Sequence, residues 1–148
     1  MDRPVIKVDR EGRWYYRGSE IVRREVLEVF WRVLERDQEG RYYLKMGDEQ
    51  EPVEVEDTVF LVQWAELRDE PEEHFQIRLN DGTEERLDLS TFWIDERGVP
   101  YCLVKSGRFP ARFLRLPFYQ VAQHASFDQE RGEYFVELNG RRFPLGRS

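Results

Sequence analysis

Between Tyr101 and Tyr119 the chain interleaves cations with aromatics: Lys105-Ser106-Gly107-Arg108, then Arg112 and Arg115, then Pro117 ahead of a helical pattern. A strand that runs into a glycine turn offers free backbone N–H groups. With a hydroxyl and several cations beside them, these are the donors a phosphate-bearing ligand needs. The same residues also suit a plain strand end whose arginines face water, because Ser-Gly turns are common. Arg23 and Arg24 stand near the start of an earlier helical pattern, where the helix dipole prefers acids. Arginines so placed serve either a ligand or a pairing with acids elsewhere in the chain.

Signatures of catalysis are thin. The sequence has no P-loop, no paired-glycine dinucleotide fingerprint after a strand, no Gly-x-Ser-x-Gly and no metal-spaced cysteines. His74 and His124 lie in unrelated settings without an obvious nucleophile, so no general base with a partnered nucleophile is visible and an enzyme is not expected. Glu72-Glu73-His74 reads as a solvated charged loop rather than a metal site, since adjacent strand residues point to opposite faces. Cys102, flanked by Tyr101 and Leu103, reads as a small buried apolar residue. Tyr15-Tyr16 and Tyr42-Tyr43 could stack on bases, but neighbouring strand aromatics more often place one ring in the core and one on the rim.

The elements that must position these residues announce themselves through a repeated turn. Asp9-Arg10-Glu11-Gly12, Asp37-Gln38-Glu39-Gly40 and Asp95-Glu96-Arg97-Gly98 place Asp first and Gly fourth; Asp128 to Gly132 is a copy with one extra residue. Asp accepts from the turn backbone and Gly supplies the left-handed residue that returns the strand. Tyr15, Tyr43, Tyr101 and Tyr134 each follow six residues after the Asp and are expected to be mostly buried in equivalent places. Between each pair of turns lies one helical pattern, predicting helices near 20–36 and 117–126 within two related units. Gly18-Ser19 reads as the entry to the first helix, and Ser106-Gly107 echoes it. Between the units, residues 58–67, 74–79 and 84–89 read as a β-meander, with Asn80-Asp81-Gly82 as a hairpin signal.

Composition bounds the rest. A chain of 148 residues with 40% apolar residues and 21 aromatics is long enough and apolar enough to fold as one compact domain or two small ones. One cysteine rules out an internal disulfide framework, and the absence of an apolar run or cleavable leader points to the cytoplasm. The net charge of −7 is unevenly spread: residues 1–45, 46–98 and 99–148 carry +2, −13 and +4. So acidic a middle repels phosphate backbones, so a nucleic-acid polymer is not an expected partner, nor is a membrane. Any anion site is expected in the flanking thirds.

These residues together resemble a known bacterial family, domain of unknown function 1285. The resemblance runs through Gly12-Arg13-Trp14-Tyr15-Tyr16-Arg17-Gly18-Ser19-Glu20-Ile21-Val22-Arg23, Val55-Glu56-Asp57-Thr58-Val59-Phe60 and Tyr101 to Arg112. It continues through Leu116-Pro117-Phe118-Tyr119 and Phe143-Pro144-Leu145-Gly146. It implies a duplicated α+β core whose C-terminal unit is pleckstrin-homology-like, a nucleotide-like ligand at the interface of the halves, and a role in signalling. Arg23, Asp57, Lys105, Gly107, Arg112 and Tyr119 occupy family-motif positions and are the ligand-site candidates that it implies.

The expectation is thus an α+β protein of two related β-rich units, residues 1–56 and 57–148, each with one helix packed on antiparallel strands. Its expected function is non-catalytic: it binds an anionic, nucleotide-like or other phosphate-bearing small molecule, without metal or cofactor. The alternative is a protein–protein interaction module that uses a sheet edge or a helix groove and needs no small ligand.

Overall fold

In the computed structural model, which describes residues 3–147, the repeated turns share one hydrogen-bond pattern. Asp9 Oδ1 accepts from the amides of Glu11 and Arg13, both at 2.9 Å, and Asp37 Oδ1 accepts from Glu39 and Arg41 at the same distance. Asp95 repeats this with Arg97 and Val99, again at 2.9 Å. Gly12 and Gly98 close their turns at φ 77° and 81°, a left-handed conformation that a side chain disfavours. In the fourth turn Asp128 accepts from Glu130 and Arg131, and the glycine amide that closes the turn on the Asp carbonyl comes one residue later, from Gly132.

Contacts divide the chain into two units, Met1–Val59 and Phe60–Ser148. The first unit contains β1 (Ile6–Val8), β2 (Trp14–Tyr16), β3 (Ser19–Glu20), α1 (Arg24–Val33), β4 (Leu34–Arg36), β5 (Tyr42–Met46) and β6 (Glu49–Val55). Its single sheet runs β3-β2-β1-β6-β5-β4. Two antiparallel three-stranded meanders are thereby joined at their first and last strands, where β1 and β6 pair in parallel with Ile6 opposite Val53 and Val8 opposite Val55. Ile6, Val8, Trp14, Leu34, Leu44 and Val53 are buried on it, and the Trp14 ring meets Phe30 of α1 at 5.5 Å.

The second unit opens with an added three-stranded meander: β7 (Phe60–Arg68), β8 (His74–Leu79) and β9 (Glu84–Arg86), followed by a 3-10 turn at Leu89–Thr91. Then the first unit's order returns: β10 (Trp93–Ile94), β11 (Pro100–Val104), β12 (Phe109–Phe113), α2 (Arg115–Ala122), β13 (Ser126–Asp128), β14 (Glu133–Leu138) and β15 (Arg141–Arg147). One sheet runs β10-β11-β12-β7-β8-β9 and a second runs β13-β14-β15. Cys102, Val104, Phe109, Ala111 and Phe113 project from one face of β11 and β12, and the register with β7 carries that face on through Phe60 and Val62. Gln120 on α2 accepts from the Ala65 amide at 2.9 Å, which ties the helix to β7. The fold is therefore α+β, with two similar β-rich units and one helix in each. Among the described residues no helix is long and apolar enough to cross a membrane.

Four expectations need correction in detail. The first helix spans 24–33 rather than 20–36, because Ser19 pairs with Tyr16 and Leu34 with Leu44; both flanks are drawn into the sheet. Gly18-Ser19 is therefore the exit of a hairpin tip, not a helix entry. The second helix spans 115–122 rather than 117–126, since Ser126–Asp128 pairs with β14 and cannot also stay helical. The tyrosines are not uniformly buried: Tyr101 is 8% exposed, Tyr15 and Tyr43 are intermediate, and Tyr134 is 44% exposed. The extra residue in the Asp128 turn explains this. Tyr15, Tyr43 and Tyr101 stand three residues after their turn glycines, whereas Tyr134 stands two after Gly132, so its counterpart is Tyr42 and the counterpart of Tyr43 is Phe135.

Candidate functional site

The second and third strands of each repeat meet at a tip where a basic residue is left-handed. In the first unit the tip is Arg17-Gly18, at φ 50° and 85°, closing the Tyr16–Ser19 pair. In the second it is Lys105-Ser106-Gly107, at φ 57°, 60° and 79°, within the loop between Val104 and Phe109. A two-residue hairpin turn of this kind favours Asn-Gly, and a long basic side chain there is strained by about 1 kcal/mol. The same choice at both copies of the turn marks these tips as places where charge matters more than local comfort.

The two cations meet different surroundings. Lys105 Nζ lies 2.7 Å from Asp81 Oδ2 and 2.7 Å from Thr83 Oγ1, over the Phe60 ring at 5.3 Å. Thr83 passes the chain on, donating its hydroxyl to Asp81 Oδ1 at 2.6 Å. The Lys105 amide donates to both Glu85 oxygens at 3.2 Å. Asp81 and Glu85 come from the β8–β9 hairpin, which the first unit lacks. Burial opposes ionisation of Asp81, but the hydrogen bonds from Lys105 and Thr83 outweigh it and hold its pKa below the usual carboxylate range. At Glu85 burial wins over the Lys105 amide and pushes the pKa up.

No hairpin carboxylate pairs with Arg17; the Tyr16 hydroxyl, and more weakly the charge of Glu51, raise its pKa. Its Nε donates to the Tyr16 hydroxyl at 3.1 Å, and among the described residues it makes no ion pair. It borders a concavity of about 570 Å³ in the first unit, shared with Arg3, Tyr16, Phe30, Met46 and Glu51. Tyr16 and Met46 are 46% and 43% exposed there, so a ring, a thioether and two guanidinium groups face the same space.

The six residues singled out from the sequence are distributed over both units. Arg23 and Asp57 belong to the first. Arg23 precedes α1, its side chain is 75% exposed, and it pairs with Glu25 at 2.8 Å. Asp57, 18% exposed, pairs with Arg10 at 3.3 Å. Lys105 and Gly107 share the second unit's tip, Arg112 lies four residues beyond Arg108 on β12, and Tyr119 is 58% exposed on α2. Strand rise alone puts the Arg112 backbone roughly 13 Å along β12 from the tip. Arg112 is 9% exposed, with Tyr101 and Leu61 as its register neighbours, and Tyr101 stacks on Trp93 at 5.2 Å. Sequence reasoning passed over Arg17. The available signal was its alignment with Lys105 between the second and third strands, which becomes visible once Gly18-Ser19 is read as a hairpin tip.

Other groups offer no catalytic pairing among the described residues. His74 Nδ1 donates to the Glu72 carbonyl at 2.8 Å, the Cys102 thiol is buried and its pKa is pushed up to about 12, and no cluster of three metal-ligating side chains is found.

Residues 2–58 match the family model described as the N-terminal domain of the domain of unknown function DUF1285. Across 97% of the chain the fold is similar to a DUF1285 family protein from Silicibacter pomeroyi DSS-3, with 22% identity, a TM-score of 0.80 and 80% of that chain covered. A DUF1285 family protein from Shewanella baltica OS155 is similar over 78% of this chain and 88% of its own, at 21% identity and a TM-score of 0.65. No curated protein matches the sequence.

Proposed function

From the match of residues 2–58 to the DUF1285 N-terminal domain and the likeness of the fold to DUF1285 family proteins, we propose that this protein is a non-catalytic binding module for a small anionic, nucleotide-like ligand, recognised through its phosphate and its ring. The observation that carries the reading is the contrast between the two tips. At Lys105 the fold supplies its own anion, Asp81, to a left-handed basic residue. At Arg17 the added strands are missing, and a second arginine, a phenol and an apolar floor, with the Glu51 carboxylate also on the wall, surround the place where that anion would sit. Arg17 recognises phosphate as a planar fork, Arg3 adds charge, and Tyr16 offers a face for a ring. A protein that takes a ligand without transforming it suits a signalling role in a bacterial cytoplasm.

Thermal-shift and calorimetric titration of the full chain with nucleoside mono-, di- and triphosphates tests the reading. Binding is expected to weaken steadily as salt rises. Arg17→Asn keeps a residue that tolerates the left-handed turn while deleting the charge, and is expected to lower affinity at least about tenfold. Lys105→Met is expected to lower the melting temperature without touching affinity. Unchanged binding by folded Arg17→Asn, or no response to any of the phosphates, overturns the assignment.

A second reading, the protein-interaction module, rests on α1. It has no buried residue, and Val22 and Val29 beside and along it are 74% and 38% exposed. Val29→Glu separates the two: it abolishes partner capture under this reading and leaves nucleotide binding intact under the first.

A further inference from the structure

We propose that the cleft between β10, α2 and the β14–β15 hairpin of the second unit is a binding site for a small neutral ring compound, separate from the anion site. The comparison between repeats shows why a cleft exists there. In the first unit, the first and last strands of the repeat, β1 and β6, close on each other through a parallel ladder. In the second, the equivalent strands β10 and β15 run beside each other but belong to different sheets. Two local changes accompany the opening. A β-bulge interrupts the β14–β15 register between Tyr134 and Phe135. And where the first unit has buried Val53 opposite Tyr42, the second has Gly146 opposite Tyr134.

Gly146 is not in the left-handed region, so its backbone does not demand glycine. What its missing side chain permits is close approach of Ile94, whose Cδ1 would lie 3.1 Å from a Cβ there. Glycine inside a strand beside a bulge marks close approach by another group. The space left has a volume of about 310 Å³, at the lower end of small-molecule sites. Ile94, Phe118, Leu145 and Tyr134 wall it, and Ala122 and Ala125 keep its helix side shallow.

The lining sets the ligand chemistry. No charged side chain borders the cleft, so it does not compensate the desolvation of an ion, unlike the site at Arg17. Phe118 and Tyr134 offer ring faces and edges to a flat ring. At the mouth Tyr134 is 44% exposed, braced by the Phe127 ring at 4.9 Å, and its hydroxyl can take one hydrogen bond from a neutral polar group. The volume admits one ring or two fused rings.

Titration of the full chain with 2-naphthol, followed by amide chemical shifts, tests the proposal. Saturable shifts are expected at Ile94, Ala122, Ala125 and Gly146, with a dissociation constant below about 1 mM. Ala125→Leu and Gly146→Val come from different elements and each fills the cleft; each is expected to weaken binding at least about tenfold while resonances elsewhere stay in place. Arg17→Asn is expected to leave 2-naphthol binding unchanged. Absence of saturation, shifts scattered over the surface, loss of binding in Arg17→Asn, or full affinity in a folded cleft-filling variant each overturns the proposal.

Discussion

Arg17 and Lys105 occupy matching turns, yet a carboxylate from β8–β9 reaches only the lysine. That difference makes the Asp81–Glu85–Lys105 cluster sensitive to acid in two opposed ways. A carboxylate with a lowered native pKa, such as Asp81, Asp9 or Asp37, contributes stability above its unfolded pKa, and that stability is lost as pH falls through the native value. Glu85 has a raised native pKa, so the native state gains as pH falls through it. The melting temperature is therefore expected to rise slightly from pH 7 toward about 5 and then to fall below about 4. Glu85→Gln removes the first limb and Asp81→Asn weakens the second; a wild-type profile identical to that of Glu85→Gln contradicts the account. The tyrosines give a second expectation. Tyr101→Ala, at a buried ring, is expected to cost about 3–5 kcal/mol, and Tyr134→Ala about 1 kcal/mol, as read from denaturant midpoints. At this scale Lys105 was legible as special from its Ser-Gly context, whereas its partner was not. Asp81 and Glu85 lie 24 and 20 residues earlier, in a segment that read only as a hairpin turn and the return strand of a meander.

At the scale of elements, the turns, the meander and the presence of two helices were legible, because Asp and Gly chemistry and apolar periodicity are local. Helix ends were not. Leu34 continues the 3.6-residue pattern of α1 and is buried, but as a strand residue opposite Leu44. The parallel β1–β6 pair was also invisible, since nothing near Ile6 names Val53 as its partner. Arg23 illustrates a helix start that local chemistry would not choose. It caps α1 at φ −74°, ψ 121°, and makes no side-chain cap hydrogen bond. Arg23→Asp puts an acceptor and a favourable charge at the helix N-terminus, and is expected to stabilise the fold by about 1 kcal/mol in chemical denaturation. A neutral or destabilising effect implies that Arg23 is held for another purpose, as the family motif implied.

For the whole molecule, the charge imbalance read along the sequence dissolves in the fold. Residues 1–59 hold 15 acids and 11 bases and residues 60–148 hold 15 and 12, so the units carry −4 and −3. The acidic middle third is split between them, and its repulsion of anions is a property of neither unit by itself. The apolar interior is not shared so evenly. The first unit buries few large side chains and none on its helix, whereas the second buries Phe60, Phe75, Phe109 and Phe113 with a full set of aliphatics. Expressed separately, residues 60–148 are expected to melt cooperatively, and residues 1–59 to show a broad, low-temperature transition by circular dichroism. Equal cooperativity in the two fragments contradicts this.

The lone thiol in that second interior has a use of its own. Cys102 is fully enclosed in β11, and burial pushes its pKa up to about 12, so almost none of it is thiolate at neutral pH. A disulfide reagent can modify it only while the surrounding sheet is open. Labelling kinetics in native buffer then become a clock for spontaneous opening of the second unit, with no engineered probe. Under fast reclosing the observed rate follows the opening equilibrium, and at high reagent it follows the opening rate itself. A protectant effect of 2-naphthol on that clock, with none from nucleotides, would place the two ligands on different parts of the chain by chemistry alone.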